Sequence, residues 1–457
     1  MWAWTENPTA PMKPAADHRA RTRAFFRRLP CALAVSAIPF LAACGQEVRT
    51  QASEYTTASI PQFAPAEAPS HPDMAPQAIT AASANFPRCI ASLRPQAAKR
   101  GVSRATFDAA TRGLEPDLQI MELLDKQPEF SKPVWEYLEG LVSERRIATG
   151  RDMAAKYAGA LANVERQFGV DRYVVAAIWG VESNFGTSMG DRPVLRSTAT
   201  LACIGRRQNY FRDEFLGALE IVHRGDIPAQ QFTGSWAGAF GQTQFMPTAF
   251  KRFAVDFDGD GRRNIIGSVA DALGSTANML KRNGWHAGAT WGYEVVLPEG
   301  FDFLLADRSI RKSLRQWEAH GVRRVGGRPF PRPGDTGTLM LPAGANGPAF
   351  VVIDNFRAIM KYNPSESYAL AVGHLADRIR GGEPFVQPWP RDELPLSRTE
   401  RFEMQERLAS LGFYRGAADG KLGAGTRAAV RDFQARAGLV PDGFASSKVL
   451  EQLRRAH

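Results

Sequence analysis

The sequence predicts a mainly α-helical protein with a small β-containing insertion and a separate C-terminal three-helix domain. Apolar residues recur at helical spacing through most of 86–283. Residues 290–353 carry more Gly, Pro and Val, with runs such as Phe350 to Ile353 that favour strands. Helical spacing returns at about 367–379, and three short amphipathic segments with Asp-Gly turns follow a Pro-rich linker at 385–397.

Composition limits the classes of function. The chain has 457 residues, 44% of them hydrophobic, which is enough for one large domain and a smaller one. Its net charge is +10, but much of that charge lies in residues 1–44, so the remainder is only mildly basic. Such a balance suits an acidic polymer or a solvated surface equally well. No basic run has interleaved aromatics, the histidines lack zinc-ligand spacing and no Gly-Lys-Ser/Thr loop occurs, so we expect no nucleic-acid, zinc or nucleotide site.

Residues 1–44 are typical of an export signal. Five arginines precede an apolar stretch at 31–40 and the sequence Leu41-Ala-Ala-Cys44. This ending resembles the bacterial lipobox, whose cysteine is lipidated and becomes the mature N-terminus. Because Gly45 is not an aspartate, the resemblance implies an anchor on the periplasmic face of the outer membrane. An ordinary signal peptide with an incidental cysteine is the alternative.

The segment that follows, residues 45–85, is rich in Ala, Pro, Ser, Thr and Gln, and we expect a disordered tether there. Export to an oxidising compartment permits disulfides. Once Cys31 is removed with the signal and Cys44 is lipidated, Cys89 and Cys203 remain, and we expect these two to pair. No other stretch is long and apolar enough to span a bilayer, so we expect the anchor to be the contact with the membrane.

One glutamate, Glu182, ends an otherwise apolar predicted helix. Asp171 is the predicted N-cap, Val175 and Ile178 share a face with Glu182, and Gly186 is the predicted stop. Burial and the negative end of the helix dipole both disfavour the charged form. We therefore expect a raised pKa, which a general acid requires. The alternative is a structural glutamate paired with one of the many arginines.

Two further segments carry side chains suited to a sugar ligand. Residues 234–247 are dense in small residues and carry polar groups at Ser235, Gln242 and Gln244. Glycines let a ligand approach the backbone, although a packed helix pair uses small residues too. Residues 361–368 contain two tyrosines, whose rings can stack on sugars, and an asparagine. A capped helix start after Asn363-Pro364 is the alternative.

Four motifs occur in order along the chain: Glu182-Ser-Asn-Phe-Gly, Gly238-Ala-Phe-Gly-Gln-Thr-Gln-Phe-Met-Pro, Asp256-Phe-Asp-Gly-Asp-Gly-Arg-Arg-Asn and Tyr362-Asn-Pro-Ser-Glu-Ser-Tyr. Together they resemble the lytic murein transglycosylase B family over residues 86–384. The resemblance implies a catalytic domain with a lysozyme-like helical fold. It also implies cleavage of the β-1,4 bond between N-acetylmuramic acid and N-acetylglucosamine.

The same resemblance assigns roles to individual residues. It implies that Glu182 is catalytic, and the expected substrate contacts are Ser183, Ser235, Gln244, Phe245, Tyr362, Asn363 and Tyr368. The chain departs from the family pattern twice. Ala239-Phe240-Gly241 replaces Ala-Met-Gly, and Asn278-Met279 replaces Asn-Tyr. Both departures concern sugar contacts, and neither removes the acid.

The implied mechanism uses one carboxylate. Typical glycosidases use two, whereas no second acidic residue of this chain lies in a recognisable partner motif. Glu182 would protonate the glycosidic oxygen while the substrate N-acetyl group stabilises C1. It would then take the proton of the C6 hydroxyl, so that a 1,6-anhydro ring closes without water. A lysozyme-type hydrolase and a non-catalytic peptidoglycan-binding lipoprotein are the alternatives.

An aspartate-rich segment resembles the start of a calcium loop. Asp256, Asp258 and Asp260 have the spacing, some family members bind calcium here, and Asp271 is a further candidate ligand. However, position twelve is Gly267 rather than glutamate, and two arginines follow the aspartates. We expect a metal-free turn and no cofactor.

The last unit, residues 398–457, resembles the three-helix peptidoglycan-binding module. The resemblance rests on Leu411-Gly-Phe-Tyr, on the run from Asp419 to Gln434 and on Leu439-Val-Pro-Asp-Gly-Phe. It implies that peptidoglycan glycan strands are partners of both domains. The membrane is the other expected partner, through the anchor, and the sequence indicates no particular protein partner.

Overall fold

The computed structural model describes residues 71–125, 132–393 and 396–456. The predicted export signal with Cys44, and the predicted tether as far as residue 70, lie outside the described residues. Within the three described ranges, no helix has both the length and the apolar composition that crossing a bilayer requires.

Helical structure begins earlier than the sequence predicted. Pro72–Met74 form a 3-10 helix and Pro76–Ala84 form helix α1, although we expected disorder as far as residue 85. The expectation is wrong over these residues because alanine is the strongest helix former. Both prolines lie at a first helical position, where proline is tolerated. Met74 is also buried, which gives the segment an apolar contact with the folded domain.

The large domain is helical up to its insertion, as predicted. Its helices are α2 (Phe86–Ser92), α3 (Arg94–Lys99), α4 (Arg104–Thr111), α5 (Ile120–Asp125), α6 (Val134–Leu141), α7 (Glu144–Lys156), α8 (Ala158–Phe168), α9 (Arg172–Ser183), α10 (Val194–Cys203), α11 (Gln208–Arg224), α12 (Pro247–Phe253) and α13 (Val269–Arg282). Two short strands, β1 (Arg192–Pro193) and β2 (Thr233–Gly234), pair antiparallel beside them.

A disulfide joins the first of these helices to the middle of the domain. Cys89 of α2 is bonded to Cys203, the last residue of α10, with Cα atoms 6.0 Å apart. The bond closes a loop of 114 residues. The N-terminal helices are thereby attached to α10 covalently as well as by packing.

The predicted insertion is an antiparallel sheet with one helix. Its strands are β3 (Gly292–Val296), β4 (Lys312–Ser313), β5 (Arg323–Arg324), β6 (Thr336–Met340) and β7 (Ala349–Ile353), in the spatial order β4-β6-β7-β3-β5. Helix α14 (Leu314–Ala319) covers it with Trp317, which is fully buried and donates its indole N–H to the Gly337 carbonyl at 3.2 Å.

The chain then returns to the helical domain through α15 (Asp354–Met360) and α16 (Glu366–Arg380). Helix α16 packs against α9, and both belong to one apolar core. A second core surrounds α10 and α11. Tyr362, between α15 and α16, packs against both cores. The segment that carries the predicted sugar-binding tyrosines therefore lies where the two cores meet.

The C-terminal module consists of α17 (Arg398–Ser410), α18 (Ala424–Arg436) and α19 (Ser447–Arg455), around a core of its own. The predicted linker before it is fixed to the large domain. Glu294 of β3 accepts the N–H groups of Val386 and Gln387 at 3.0 and 2.8 Å. The rings of Trp389 and Trp135 lie 6.2 Å apart.

Candidate active site

Helix α9 carries Glu182 into the interior. Its N-cap is Asp171, as predicted, because the Asp171 carboxylate accepts the Tyr173 N–H at 2.8 Å. Every residue from Val174 to Ser183 is buried, and Glu182 is 4% exposed. A carboxyl thus lies on the inward face, as the helical spacing predicted.

The end of α9 differs from the prediction. The helix stops at Ser183, before Gly186, because Asn184 and Phe185 turn into the left-handed region with φ of 49° and 58°. Asparagine tolerates this conformation. The Ser183 hydroxyl donates to the Gln242 carbonyl and accepts the Gly186 N–H at 2.9 Å. These bonds join the end of α9 to the glycine-rich segment.

The hydrogen-bond partner of Glu182 is a neutral group. The Tyr368 hydroxyl donates to Glu182 Oε1 at 2.5 Å. Burial raises the pKa of Glu182 to about 7, and the hydrogen bond from Tyr368 opposes part of that shift. None of the ion pairs among the described residues involves Glu182. The alternative of a structural glutamate paired with an arginine therefore finds no support among the described residues.

A cavity of about 220 Å³ opens beside this carboxyl. Four of the residues predicted from the sequence line it: Glu182, Gln244, Phe245 and Tyr362. The remaining lining residues were not predicted as contacts; they are Arg207, Tyr210, Met246, Ala249, Met279 and Pro364.

Gln244 and Phe245 form one wall of the cavity. Gln244 has a positive φ of 50°, and its amide nitrogen donates to the carbonyls of Met189 and Gly241 at 3.0 and 2.9 Å. Its Oε1 is buried, and nothing in the described part of the chain donates to it. The Phe245 ring meets Tyr362 edge to face, 5.7 Å between centroids. This wall offers one free acceptor beside two aromatic rings.

The glycines of this segment serve chain packing rather than approach by a ligand. A Cβ on Gly234 would lie 2.2 Å from the Ala239 carbonyl oxygen, and one on Gly238 would lie 2.4 Å from Thr198. The packed helix pair is wrong here, because residues 234–246 are not helical, whereas contact between this segment and a ligand stays a prediction. Residues 234–246 are a compact series of turns folded on itself.

Two tyrosines complete the site. Their rings are nearly parallel, 6.5 Å apart, with Tyr368 against Glu182 and the Tyr362 hydroxyl donating to the Thr243 carbonyl at 2.5 Å. Burial, and then the charge of Glu182, raise the pKa of both phenols well above the ordinary value. Both hydroxyls therefore stay protonated and act as donors.

Four of the expected substrate contacts do not line the cavity: Tyr368, which lies behind it against Glu182, and three polar residues. Ser183 is bonded to backbone groups as described. The Ser235 hydroxyl accepts the Ala239 N–H at 3.0 Å, and Ser235 is 2% exposed. Asn363 is buried, and its main-chain carbonyl accepts the Ser365 N–H at 2.8 Å. These residues shape the loops around the site, and their contact with a substrate stays a prediction.

Sequence reasoning missed the opposite rim of the cavity. Arg207 has a left-handed φ of 63°, and its guanidinium lies 4.5 Å above the ring of Tyr210, which is 37% exposed. The pattern Arg-Arg-Gln-Asn-Tyr reads as an ordinary charged turn before a helix, so only the tertiary fold identifies it. Of the two departures from the family pattern, Met279 lines the cavity, whereas Phe240 is fully buried between other rings.

The aspartate-rich loop brings three carboxylates together. One oxygen each of Asp256, Asp258 and Asp260 lies within 4.8 Å of the others, and all three residues are exposed. Their oxygens accept N–H groups of the same loop, and Asp271, fully buried, accepts those of Phe257 and Asn264. No glutamate stands at position twelve to complete a calcium loop. The metal-free turn stays a prediction.

Two family models match the chain. The model described as Transglycosylase SLT domain matches residues 85–377, and that of a peptidoglycan binding domain matches residues 397–453. Membrane-bound lytic murein transglycosylase B of Escherichia coli (strain K12) is 30% identical over 275 residues, which are 57% of this chain and 73% of that protein.

Solved structures show the same relationship. SltB3 from Pseudomonas aeruginosa, in complex with NAG-anhNAM-pentapeptide or NAG-NAM-pentapeptide, is 49% identical with a TM-score of 0.78, over 81% of this chain and 99% of that one. Soluble lytic transglycosylase SltB1 from Pseudomonas aeruginosa is 30% identical with a TM-score of 0.57, over 65% of this chain and 100% of that one. The chain therefore belongs to the lytic murein transglycosylase family, with a peptidoglycan-binding module at its C-terminus.

Proposed function

We propose that this protein cleaves the β-1,4 bond between N-acetylmuramic acid and N-acetylglucosamine and releases 1,6-anhydro-muropeptides, with Glu182 as acid and then base. The observation that carries the proposal is a solitary carboxyl: of the described residues that line the cavity, only Glu182 is acidic. Its pKa of about 7 lets one group give a proton and later accept one near neutral pH. SltB3 was solved with a fragment that carries an anhydro sugar.

The reaction balances without water. Protonated Glu182 gives its proton to the glycosidic oxygen as the bond from that oxygen to C1 breaks, and the N-acetyl group of the substrate stabilises C1. The C6 oxygen then bonds to C1, and its proton passes to the Glu182 carboxylate. The carboxyl ends in the state in which it began, so a second carboxylate is not required.

Neighbouring acidic residues have other partners. Asp213 forms an ion pair with Arg100. Both oxygens of Glu214 accept hydrogen bonds from Thr248, at 2.9 Å from the N–H and 2.7 Å from the hydroxyl. Neither lines the cavity. This arrangement favours the one-carboxylate mechanism over a two-carboxylate hydrolase.

The walls of the cavity supply binding and orientation. The rings of Phe245 and Tyr362 can pack on sugar faces. The buried, unpaired Oε1 of Gln244 would have to turn toward the cavity to accept from a sugar hydroxyl or an N-acetyl N–H. Tyr368 holds the acid in place through its hydroxyl. In this proposal substrate binding depends on aromatic and amide groups, and the single titrating group is reserved for chemistry.

The test is product analysis of purified sacculi digested in heavy-oxygen water. We expect soluble muropeptides that end in 1,6-anhydro sugars, lack a reducible end and carry no heavy oxygen. A lysozyme-type hydrolase would instead release reducing ends that contain the heavy isotope. The same digestion with Glu182→Gln controls for contaminating enzymes, and reducing ends alone would reject the proposed mechanism.

We also propose that the protein is exported and anchored through lipidated Cys44 to the periplasmic face of the outer membrane. The support is the resemblance of residues 41–44 to a lipobox, together with a relative that is named membrane-bound. Metabolic labelling with a palmitate analogue should mark the wild type and not Cys44→Ser. Label retained by Cys44→Ser, or wild type found only in the soluble fraction, would reject the anchor.

A further inference from the structure

The C-terminal module is docked on the insertion. Arg431 of α18 is 8% exposed, forms an ion pair with Asp307 and donates to the Ala306 carbonyl at 3.2 Å. Asp442, in the turn after α18, accepts the Ala345 N–H at 2.8 Å. Displacing the module would leave the mostly buried Arg431 guanidinium without its partner Asp307, which favours one geometry of the two units. The module therefore has a defined position on the large domain.

One glutamate of the large domain lies within this junction. Glu366 pairs through Oε1 with Arg308 of the insertion and through Oε2 with Arg427 of α18, the latter at 3.0 Å. The Glu366 side chain is 16% exposed. All three residues line a small cavity of about 70 Å³ between insertion and module. One carboxylate oxygen of Glu366 therefore pairs with the insertion and the other pairs with the C-terminal module.

Glu366 is also the first residue of α16, the helix that carries Tyr368. Ser365 caps the helix, because its hydroxyl accepts the Tyr368 N–H at 3.3 Å. Tyr368 lies two positions after Glu366, and its hydroxyl donates to Glu182. A carboxylate at a helix N-terminus is itself favourable. The first four N–H groups of a helix have no partner within the helix, so side-chain contacts help to place its first turn. Glu366 and Tyr368 lie in this same first turn of α16.

We propose that Arg427 and Glu366 are positioning residues for the reaction: the ion pair between the C-terminal module and the start of α16 keeps the Tyr368 hydroxyl against Glu182. The module then supports the acid in addition to holding the wall. This inference rests on the proposed function, since it requires that Glu182 is the acid.

The titratable or charged groups that face Glu182 are the Tyr362 and Tyr368 phenols and, across the cavity, Tyr210 and Arg207. Burial raises the pKa of all three phenols, so they stay protonated near neutral pH. The dependence of activity on pH near neutrality therefore reports the ionisation of the Glu182 carboxyl. Loss of the Tyr368 hydrogen bond removes an interaction that lowers the pKa of Glu182, so the high-pH limb of activity should move upward.

The experiment compares two substrates, intact sacculi and a short soluble glycan fragment of peptidoglycan that needs no anchoring to the wall. In the full-length protein, Arg427→Ala and Glu366→Gln should each lower kcat on the short fragment about tenfold with little change in KM, as small displacements of a catalytic group do. The double variant should be no worse than either single variant. Arg427→Lys should restore most of the activity.

The matched control is Arg436→Ala, which removes an exposed arginine from the end of the same helix and should leave kcat unchanged.

Unchanged kcat and pH profile on the short fragment for both Arg427→Ala and Glu366→Gln, with weaker binding to sacculi, would overturn the inference and leave the module as a wall anchor only. Glu366→Gln preserves shape if Arg427→Ala folds poorly. Wild type that yields no anhydro product would instead reject the proposed function.

Discussion

Two glutamates, Glu182 in the cavity and Glu403 in the C-terminal module, have opposite surroundings. Glu182 is buried against a tyrosine, and burial raises its pKa to about 7. Glu403 lies on the surface of α17, and hydrogen bonds from Arg454 and then Arg407 lower its pKa to about 2. The same type of side chain thus has a pKa of about 7 at one site and about 2 at the other.

The difference shows that Glu182 is suited to proton transfer, whereas Glu403 contributes to the stability of the module. Arginines are abundant, and the module uses them to fix Glu403 in its charged form. Near Glu182 the described fold supplies one hydroxyl and no ion pair, so the carboxyl keeps a proton that it can give away. Of the two glutamates, the one suited to proton transfer is therefore the one without a positively charged partner among the described residues.

The largest expected effect is on turnover. Glu182→Gln keeps the shape of the side chain but has no proton to donate, so kcat on sacculi should fall on the order of 10³-fold or more. Binding to sacculi in a pelleting assay should be retained, because the module is intact. Glu403→Gln is the matched control and should keep kcat. Full turnover by Glu182→Gln would remove the contrast between the two residues and favour the non-catalytic alternative.

The second effect is on stability and depends on pH. The folded-state pKa of Glu182 is about 7, above the ordinary 4.5, so its contribution to stability is complete below pH 4.5 and is lost as pH rises to 7. Glu182→Gln should therefore be more stable than wild type at pH 8, on the order of 3 kcal/mol. Denaturant unfolding at pH 4 and pH 8 measures it, and an equal difference at both values would contradict the expectation.

The third effect concerns the partner of the acid. Tyr368→Phe removes the hydroxyl that donates to Glu182, and kcat should fall about tenfold, the size typical of a hydrogen bond to a charged group. The high-pH limb of the activity profile should move upward, because that bond lowers the pKa of Glu182. Tyr173→Phe, the same change on a half-buried residue of α9, is the control. An unmoved limb would mean that Tyr368 only fills space.

The smallest effect is expected in the module. The pKa of Glu403 lies below its ordinary value, so its stabilising contribution is present above pH 4.5 and is lost as pH falls to 2. Glu403→Gln should lower the free energy of unfolding at pH 7 by about 0.5 to 1 kcal/mol, typical of exposed ion pairs. The difference should shrink on acidification, opposite in direction to that of Glu182→Gln. Thermal unfolding at pH 7 and pH 3 can distinguish the two signs.

Local pattern was enough to predict α9, its cap at Asp171 and the inward face of Glu182, since these follow from spacing along one helix. The module could be predicted for a similar reason, because Asp-Gly turns separate three short amphipathic segments. The insertion followed from its strand-forming composition. In each case the information lies within a few residues of the element it describes.

The features of the site that the sequence did not predict depend on contacts between segments that are distant in the chain. Nothing local shows that the Ser183 and Ser235 hydroxyls face backbone groups rather than a ligand. Nor does a charged turn reveal that Arg207 and Tyr210 meet Glu182 across one cavity. The N-terminal helices were missed because alanine and proline together suggest disorder, although each proline occupies a permitted first turn.

The disulfide between α2 and α10 also determines how the protein responds to tension. A pull on the chain from the side of residue 70 first meets the 3-10 helix with its buried Met74, then α1, which has no buried residue, and then α2. These short helices can unwind in turn, but at Cys89 the covalent bond passes the pull to Cys203 inside the core. The length of chain that such a pull can extract therefore ends at Cys89, and the cavity beyond it keeps its shape.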